Sequence, residues 1–378
     1  MFDFVFWLLS YVVPFLVVLT AIVFVHEMGH YLVARWNGVA IDTFSIGFGR
    51  EVVGWNDRQG TRWRISAIPL GGYVKFTGDS NAASVPDPEA LKNVDPQLAP
   101  RLYANKSVWQ RISIVAAGPI ANVILTFVIL YALLVSYGQY TIPPVVGEVV
   151  AQSVAEEAGL QAGDRIVSVD GYSVGGFSDF QRLIATAPQR QVTIVLERDG
   201  VTQTIALVPE AVEVEDRFGN SQRIGRIGVA RDIAEDDLTL YRPGPVEAVG
   251  ATFQEIVFII DRTAAFLGDF FVGRGDVEQL GGPVKVAKVS GEMATLGIIA
   301  LVNLTALLSL NIGIFNLLPV PMLDGGHLLY YLIEAIRGRP LSLRVQEIGF
   351  RFGFALVLAL MVFTLFNDTL FAYLRSVG

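Results

Sequence analysis

The sequence has no cysteine. That excludes a disulfide framework and thiol catalysis. Charge is also scarce, with 17% charged residues against 52% hydrophobic, where an ordinary soluble domain carries about 25% charge. A deficit of this size places the chain among membrane proteins. Histidine is the third scarcity: only His26, His30 and His327 are present. All three fall within two short motifs, so none is left for incidental roles. The net charge is −8, and nucleic acid is not expected as a partner.

Four apolar runs, at 4–25, 112–138, 296–318 and about 352–373, are long enough to cross a bilayer, which takes about 20 residues. A signal peptide would show a basic leader and a small-residue cleavage site. Only Asp3 precedes the first run and HEMGH follows it, so this span is expected to be retained. Gly118, Pro119 and Ala121 in the second run are small or kinking residues that permit close helix packing.

Charge is unevenly spread. Between Arg35 and Arg111, 10 Lys/Arg stand against 7 Asp/Glu; between Gly138 and Thr295 the balance is 13 against 23. Arg35, Lys106, Arg111, Arg337, Arg339, Arg344 and Arg351 flank the spans. Positive charge in short loops stays cytoplasmic. Both termini and the 138–295 region are therefore expected on the outer side.

That outer region reads as an inserted α/β module. Short strands (VVGEVV, RIVSVDG, VTIVLERDG, VTQTIALVP) alternate with helices near 155–159 and 177–187. The segment AEEAGLQAGDRIVSVDG resembles a PDZ domain, a fold that binds extended peptides by strand addition. Residues 245–271 are apolar but interrupted by Glu247, Glu255, Asp261, Arg262 and Asp269. Charges in mid-bilayer are costly, so this segment reads as an amphipathic helix, either on the outer membrane surface or in the core of the soluble region. Between the first two spans, residues 44–76 alternate around an Asp57–Gly60 turn and read as a β-hairpin.

The fold class is thus a multi-span α-helical membrane protein with four transmembrane helices, a membrane-associated β-hairpin and an inserted α/β PDZ-like domain. The expected divisions are a first span with its motif (1–36), a cytoplasmic-side hairpin and loop (37–110), a second span (111–138) and the PDZ-like domain (143–210). A periplasmic linker with an amphipathic helix (211–295), a third span with an Asn-Pro-Pro-Asp motif (296–336) and a fourth span (350–373) complete the chain.

HEMGH occupies 26–30. Helical positions i and i+4 share a face, so His26 and His30 can reach one metal. Glu27 lies beside that metal, where it can take a proton from water. Chance HExxH matches are usually solvated helix. Here the motif continues an apolar run, and ionisable residues in a membrane mark functional sites. Catalytic zinc sites use three protein ligands and keep a fourth position free. In NLLPVPMLDGGH (316–327) the prolines Pro319 and Pro321 break the helix, and non-helical backbone at this depth must line a cavity. Asp324 and His327 are three apart, and either could supply the third ligand. Both motifs end toward the cytoplasmic side, at compatible depths.

HEMGH, the PDZ-like insert and NLLPVPMLDGGH together resemble the site-2 protease family of intramembrane metalloproteases. PLGGYVKF (69–76), AAGPIANVIL (116–125) and LGGPV (280–284) extend the likeness over nearly the whole chain. The resemblance implies Zn2+ held by His26, His30 and Asp324, with Glu27 as general base and His327 outside the ligand set. Asn316 matches a family asparagine that helps hold substrate. The implied activity is regulated intramembrane proteolysis of single-span proteins in the bacterial inner membrane, a trimmed anti-sigma factor or signal-peptide remnants being candidate substrates. One departure stands out. The best-known bacterial members carry two tandem PDZ modules, and residues 211–240 are too few for a second.

A helical substrate hides its amides and must unwind to be cut. The hairpin near Gly47 and Gly49 offers an edge strand that could hold it by main-chain pairing; alternatively the hairpin only plugs the cytoplasmic face. Two rival classes are a metal transporter, opposed by Glu27 and the peptide-binding module, and a scaffold without catalysis, opposed by the intact His26, Glu27, His30 and Asp324.

Overall fold

A computed structural model describes residues 8–79, 98–215, 221–231, 238–271 and 281–377. Residues 4–7 of the first apolar run, 80–97 of the loop after the hairpin and Leu280 of LGGPV lie outside them. The chain forms two compact units, 1–130 with 276–378 and 131–275. Among the described residues, four helices are long and apolar enough to cross a bilayer: Leu8–Trp36, Val108–Tyr137, Ile298–Asn316 and Arg344–Asp368.

In the first unit a single π-helical turn, Leu8–Val12, leads into α1, Val13–Trp36. Pro14 sits where the π-helical turn passes into α1. The helix stops at Asn37 and Gly38; Gly38 adopts φ 69°, the left-handed stop that glycine takes without penalty. Hairpin strands β1, Ile41–Asn56, and β2, Arg62–Phe76, follow. Residues 43–46 pair with 72–75 on one side and with 62–65 on the other, while 51–56 fold back onto 62–66. The hairpin is therefore a curled sheet of four segments, ordered 51–56, 62–66, 43–46 and 72–76. Gly47 and Gly49, at φ 85° and 87°, make the bend at which β1 changes partner.

Aromatic packing fixes this sheet on α1. Phe44, 1% exposed, stacks on Trp63 at 4.4 Å and meets Phe24 and Tyr31 edge-on at 5.9 and 5.6 Å. At the turn, Asp57 accepts from Tyr31 Oη at 2.8 Å, Trp63 Nε1 at 3.2 Å and the amides of Gln59 and Thr61 at 2.8 and 2.9 Å. The hairpin turn is thus tied to the helix one residue past His30.

Helix α2, Val108–Tyr137, contains Pro119. It packs on α1 where a Cβ on Gly29 would strike the Ala117 carbonyl. Helix α6, Pro283–Thr295, and α7, Ile298–Asn316, follow the second unit. Thr126 Oγ1 donates to the Ala306 carbonyl at 2.9 Å and Ser309 Oγ to the Asn122 carbonyl at 3.0 Å. Hydroxyl-to-backbone bonds of this kind join membrane helices that cannot rely on the hydrophobic effect. Helix α8, Asp324–Arg337, begins at the Pro-rich break. A Cβ on Gly325 or Gly326 would strike the Leu317, Leu318 or Val320 carbonyls, so the paired glycines let α8 start against the end of α7. The last helix, α9, Leu343–Val377, rests Gly349 on the Tyr330 hydroxyl and Gly353 on the Pro321 carbonyl.

The second unit holds β3, Gln139–Thr141, β4, Glu148–Val149, α3, Val154–Glu157, β5, Arg165–Val169, β6, Tyr172–Ser173, and α4, Phe177–Ala185. It continues through β7, Val192–Arg198, β8, Val201–Leu207, β9, Glu210–Glu215, β10, Ser221–Arg226, β11, Val229–Ala230, β12, Thr239–Tyr241, and α5, Pro245–Phe271. The central sheet runs β6-β5-β7-β8. Its core joins Ile166, Ile194 and Leu196 to Phe177, Phe180 and Leu183 of α4, and also takes in Ile227 and Phe258. The folded core therefore draws on residues beyond 210. β11 pairs with β4 and β9 with β10, in a stretch whose alternation (EAVEVE) is masked by its charges. Helix α5 contributes Phe258 to this core, with Ile259 packed against it. Ala248, Ile256 and Phe258 are buried while Val246 and Phe253 stay exposed, and Arg182 of α4 pairs with Glu255.

Candidate metal centre and its cavity

On α1 the His26 and His30 rings stand edge to face, 4.8 Å apart. Their Nε2 atoms are 3.2 Å apart. Asp324, in the first turn of α8, brings Oδ2 to 3.1 Å from His26 Nε2 and Oδ1 to 3.6 Å from His30 Nε2. Its position suits a carboxylate, because a helix N-terminus favours negative charge. The three donor atoms lie within 4.8 Å of one another.

These residues fit a metal ion. Two imidazole nitrogens at 3.2 Å place two lone pairs, or two protons, face to face unless a cation or shared proton lies between them. Asp324 Oδ2 is close to His26 Nε2 yet is buried without a properly angled hydrogen bond, and a buried acceptor of that kind is costly. Two imidazoles and a carboxylate are a donor set that zinc accepts. Gly118 of α2 leaves the room: a Cβ there would come within 2.8 Å of His26 Nε2 and strike His30 Nε2.

The rings are held from behind. His30 Nδ1 donates to the Ile114 carbonyl at 2.9 Å. His26 Nδ1 lies 3.3 Å from the Asn122 carboxamide. Across the cavity, Tyr331 of α8 meets Tyr103 Oη at 3.0 Å and lies beneath the Arg111 guanidinium at 4.7 Å.

In front of the three donors lies a cavity of about 560 Å³ lined by Glu27, Asn316, Met322 and His327 among others. Glu27 also faces the Val74 amide. His327 lines the cavity but is not one of the three converging residues. Met322 holds φ 88°, a strained conformation for a side chain with a Cβ, at the point where the Pro-rich segment turns into α8.

The hairpin meets this cavity at a different place from the one the sequence suggested. Leu70, Gly71, Gly72, Tyr73, Val74 and Phe48 line it, and Gly47 and Gly49 do not. The reason is the bend: a Cβ on Gly47 would come within 2.6 Å of the Ile68 carbonyl, so this residue is spent inside the curled sheet. The segment at the cavity is the edge run 72–76. No strand among the described residues pairs with its outer side.

Asn122, Ile114, Gly118, Tyr103 and Tyr331 were not legible as site residues. AAGPIANVIL shows small residues fit for packing, which is the signal the sequence carries for Gly118.

Residues 14–360 match peptidase family M50. A protein of Rhizobium meliloti named as a zinc metalloprotease is 45% identical over 95% of this chain and 96% of its own length. One from Agrobacterium fabrum is 47% identical over 96% of both chains. Metalloprotease MmpA of Caulobacter vibrioides is 37% identical over 94% of both. Among solved structures, the PDZ domain of an SdrC-like protein from Listeria monocytogenes is similar over 25% of this chain and 88% of that one, with 22% identity and a TM-score of 0.18. By its match along most of its length to this family and to these relatives, the chain belongs to peptidase family M50, the site-2 proteases, and is a multi-pass membrane zinc metalloprotease.

Proposed function

We propose that the chain is an endopeptidase of single-span membrane proteins, with His26, His30 and Asp324 holding zinc and Glu27 acting as general base. The observation that carries this reading is the convergence of three donor atoms within 4.8 Å on the wall of a cavity that Glu27 also lines. A zinc ion held there supplies Lewis acidity, polarising a carbonyl and making water acidic near neutral pH. Glu27, one residue from His26, takes the proton of the attacking water and returns it to the leaving amine. Asn316 at the cavity wall offers a donor and an acceptor to the substrate main chain.

The substrate must be extended to be cut. The outer edge of 72–76, with which no strand among the described residues pairs, lies beside Glu27 and supports capture by strand addition, with Phe48 and Tyr73, stacked at 6.0 Å, as an apolar wall.

The basic flanks support a cytoplasmic side for the hairpin and for the α8–α9 turn, and a periplasmic side for the insert, in a bacterial inner membrane. The insert is read as a PDZ-like module that admits only substrates whose outer part an earlier cut has shortened, such as a trimmed anti-sigma factor or a signal-peptide remnant. A Cβ on Gly225 of β10 would strike the Ile184 carbonyl at the end of α4. The end of α4 thus packs directly on β10, and the position of the module outside the membrane is read as favouring obstruction over a grip on a C-terminus.

The test is incubation of the purified protein with a panel of single-span substrates, beside Glu27→Gln. Cleavage by the first and not the second is expected. Zinc flux in liposomes without cleavage of any substrate would contradict the reading.

A further inference from the structure

We propose that Asn122 is a positioning residue that fixes the tautomer and orientation of His26 for zinc. The proposal rests on the assignment of His26 as a ligand, and it concerns a residue on a different helix.

An imidazole that binds a metal through Nε2 must carry its proton on Nδ1, and that N–H needs an acceptor. For His30 the acceptor is the Ile114 carbonyl, 2.9 Å away. For His26 the facing group is the Asn122 carboxamide, whose Nδ2 stands 3.3 Å from Nδ1. Asn122 is 0% exposed, and its Oδ1 is buried without a partner. The two ends of a carboxamide are nearly isosteric, and their assignment follows from the hydrogen-bond network. With Nδ2 toward a protonated Nδ1, two donors would face each other. The opposite orientation presents Oδ1, which accepts the Nδ1 proton and holds the Nε2 lone pair toward His30 and Asp324.

The backbone supports this role. Ile114, Gly118 and Asn122 are spaced i, i+4, i+8, so they share one face of α2. That face holds His30 by a carbonyl, leaves space for both rings at Gly118 and holds His26 by a carboxamide. Asn122 is itself pinned, because its carbonyl accepts from Ser309 Oγ at 3.0 Å and from Thr126 Oγ1 at 3.0 Å. Those bonds are made by the main chain, so a side-chain change leaves them in place. A neutral acceptor also orients the ring without adding a second negative charge behind the site.

The experiment measures zinc dissociation constants by chelator competition, with thermal unfolding in the same detergent, for the wild type, Asn122→Leu, Asn122→Asp, Ser309→Ala and His26→Ala. Asn122→Leu keeps the volume and loses the acceptor. It should weaken zinc by roughly 10- to 100-fold, the usual effect of losing such a contact. Asn122→Asp restores an acceptor and should bind close to wild type. Ser309→Ala, which loosens the contact between α2 and α7 without touching the carboxamide, should leave zinc affinity unchanged. Wild-type affinity in Asn122→Leu, or an Asn122→Asp as weak as the leucine variant, would overturn the positioning role. His26→Ala with undiminished affinity would instead overturn the ligand assignment, and this role with it.

Discussion

The guanidinium of Arg111 on α2 donates to Glu334 of α8 at 2.6 Å, with 14% and 15% of the two side chains exposed. This pair joins the helix behind the histidines to the helix that begins at Asp324. Removing one member of a partly buried pair leaves the other charge poorly compensated and costs on the order of 1–3 kcal/mol. Arg111→Met should therefore lower the thermal midpoint in detergent and weaken zinc through a displaced Asp324. A variant with both properties unchanged would show that α8 is held by other contacts.

Asp57 gives a pH-dependent test of the hairpin anchor. Burial acts to raise its carboxyl, but bonds from Tyr31, the Thr61 amide, Trp63 and the Gln59 amide outweigh it and lower it from 3.8 to about 2. A folded value below the unfolded one stabilises above the unfolded value and is lost as pH falls through the folded one. Protection of the Gln59 and Thr61 amides from hydrogen exchange should hold above pH 4 and fall as the pH drops toward 2. In Asp57→Ala it should be low throughout. Equal protection in the alanine variant would remove Asp57 as the anchor.

The strain at Met322 is open to direct measurement. A side chain held at a positive φ costs on the order of 1–3 kcal/mol. Met322→Gly relieves that strain and should be tolerated in thermal stability and zinc content. Met322→Ile adds a β-branch to the same backbone and should lower both. Equal behaviour of the two variants would place no importance on the conformation at the start of α8.

The four spans were readable because their apolar runs exceed a bilayer's thickness, and the histidine pair because i, i+4 spacing is a local property of one helix. Asp324 and His327 could not be separated by spacing alone. Which of them turns toward α1 depends on how the Pro319–Pro321 break aims α8, and that is set by Gly325 and Gly326 packing on distant carbonyls. The hairpin was legible as alternation, but its second fold at Gly47 was not, so the cavity edge falls at 72–76. Asn122 sits in an apolar helix whose partner ring is 96 residues away, beyond the reach of any local pattern.

The insert makes its own prediction. If it obstructs, deleting 142–231, which takes out the sheet together with its β4–β11 pairing and Ile227, leaves cleavage of a pre-trimmed substrate intact and admits the untrimmed form. If it grips, the trimmed form is cut more slowly. Refusal of the untrimmed protein together with normal cutting of the trimmed one would contradict both. Topology is checked by reporters near Gly219, which lies outside the described residues, and near Gly338. The first should read periplasmic and the second cytoplasmic.

The assignment of His26, His30 and Asp324 as ligands and Glu27 as base is tested most directly by zinc stoichiometry measured beside cleavage for His26→Ala, Asp324→Ala, His327→Ala and Glu27→Gln. About one zinc per chain is expected in the wild type and in Glu27→Gln. Little or none should remain in His26→Ala and Asp324→Ala, and cleavage should be undetectable in these two and in Glu27→Gln, while His327→Ala keeps its zinc. An Asp324→Ala protein that keeps metal and activity while His327→Ala loses both would contradict it, as would substantial turnover by Glu27→Gln.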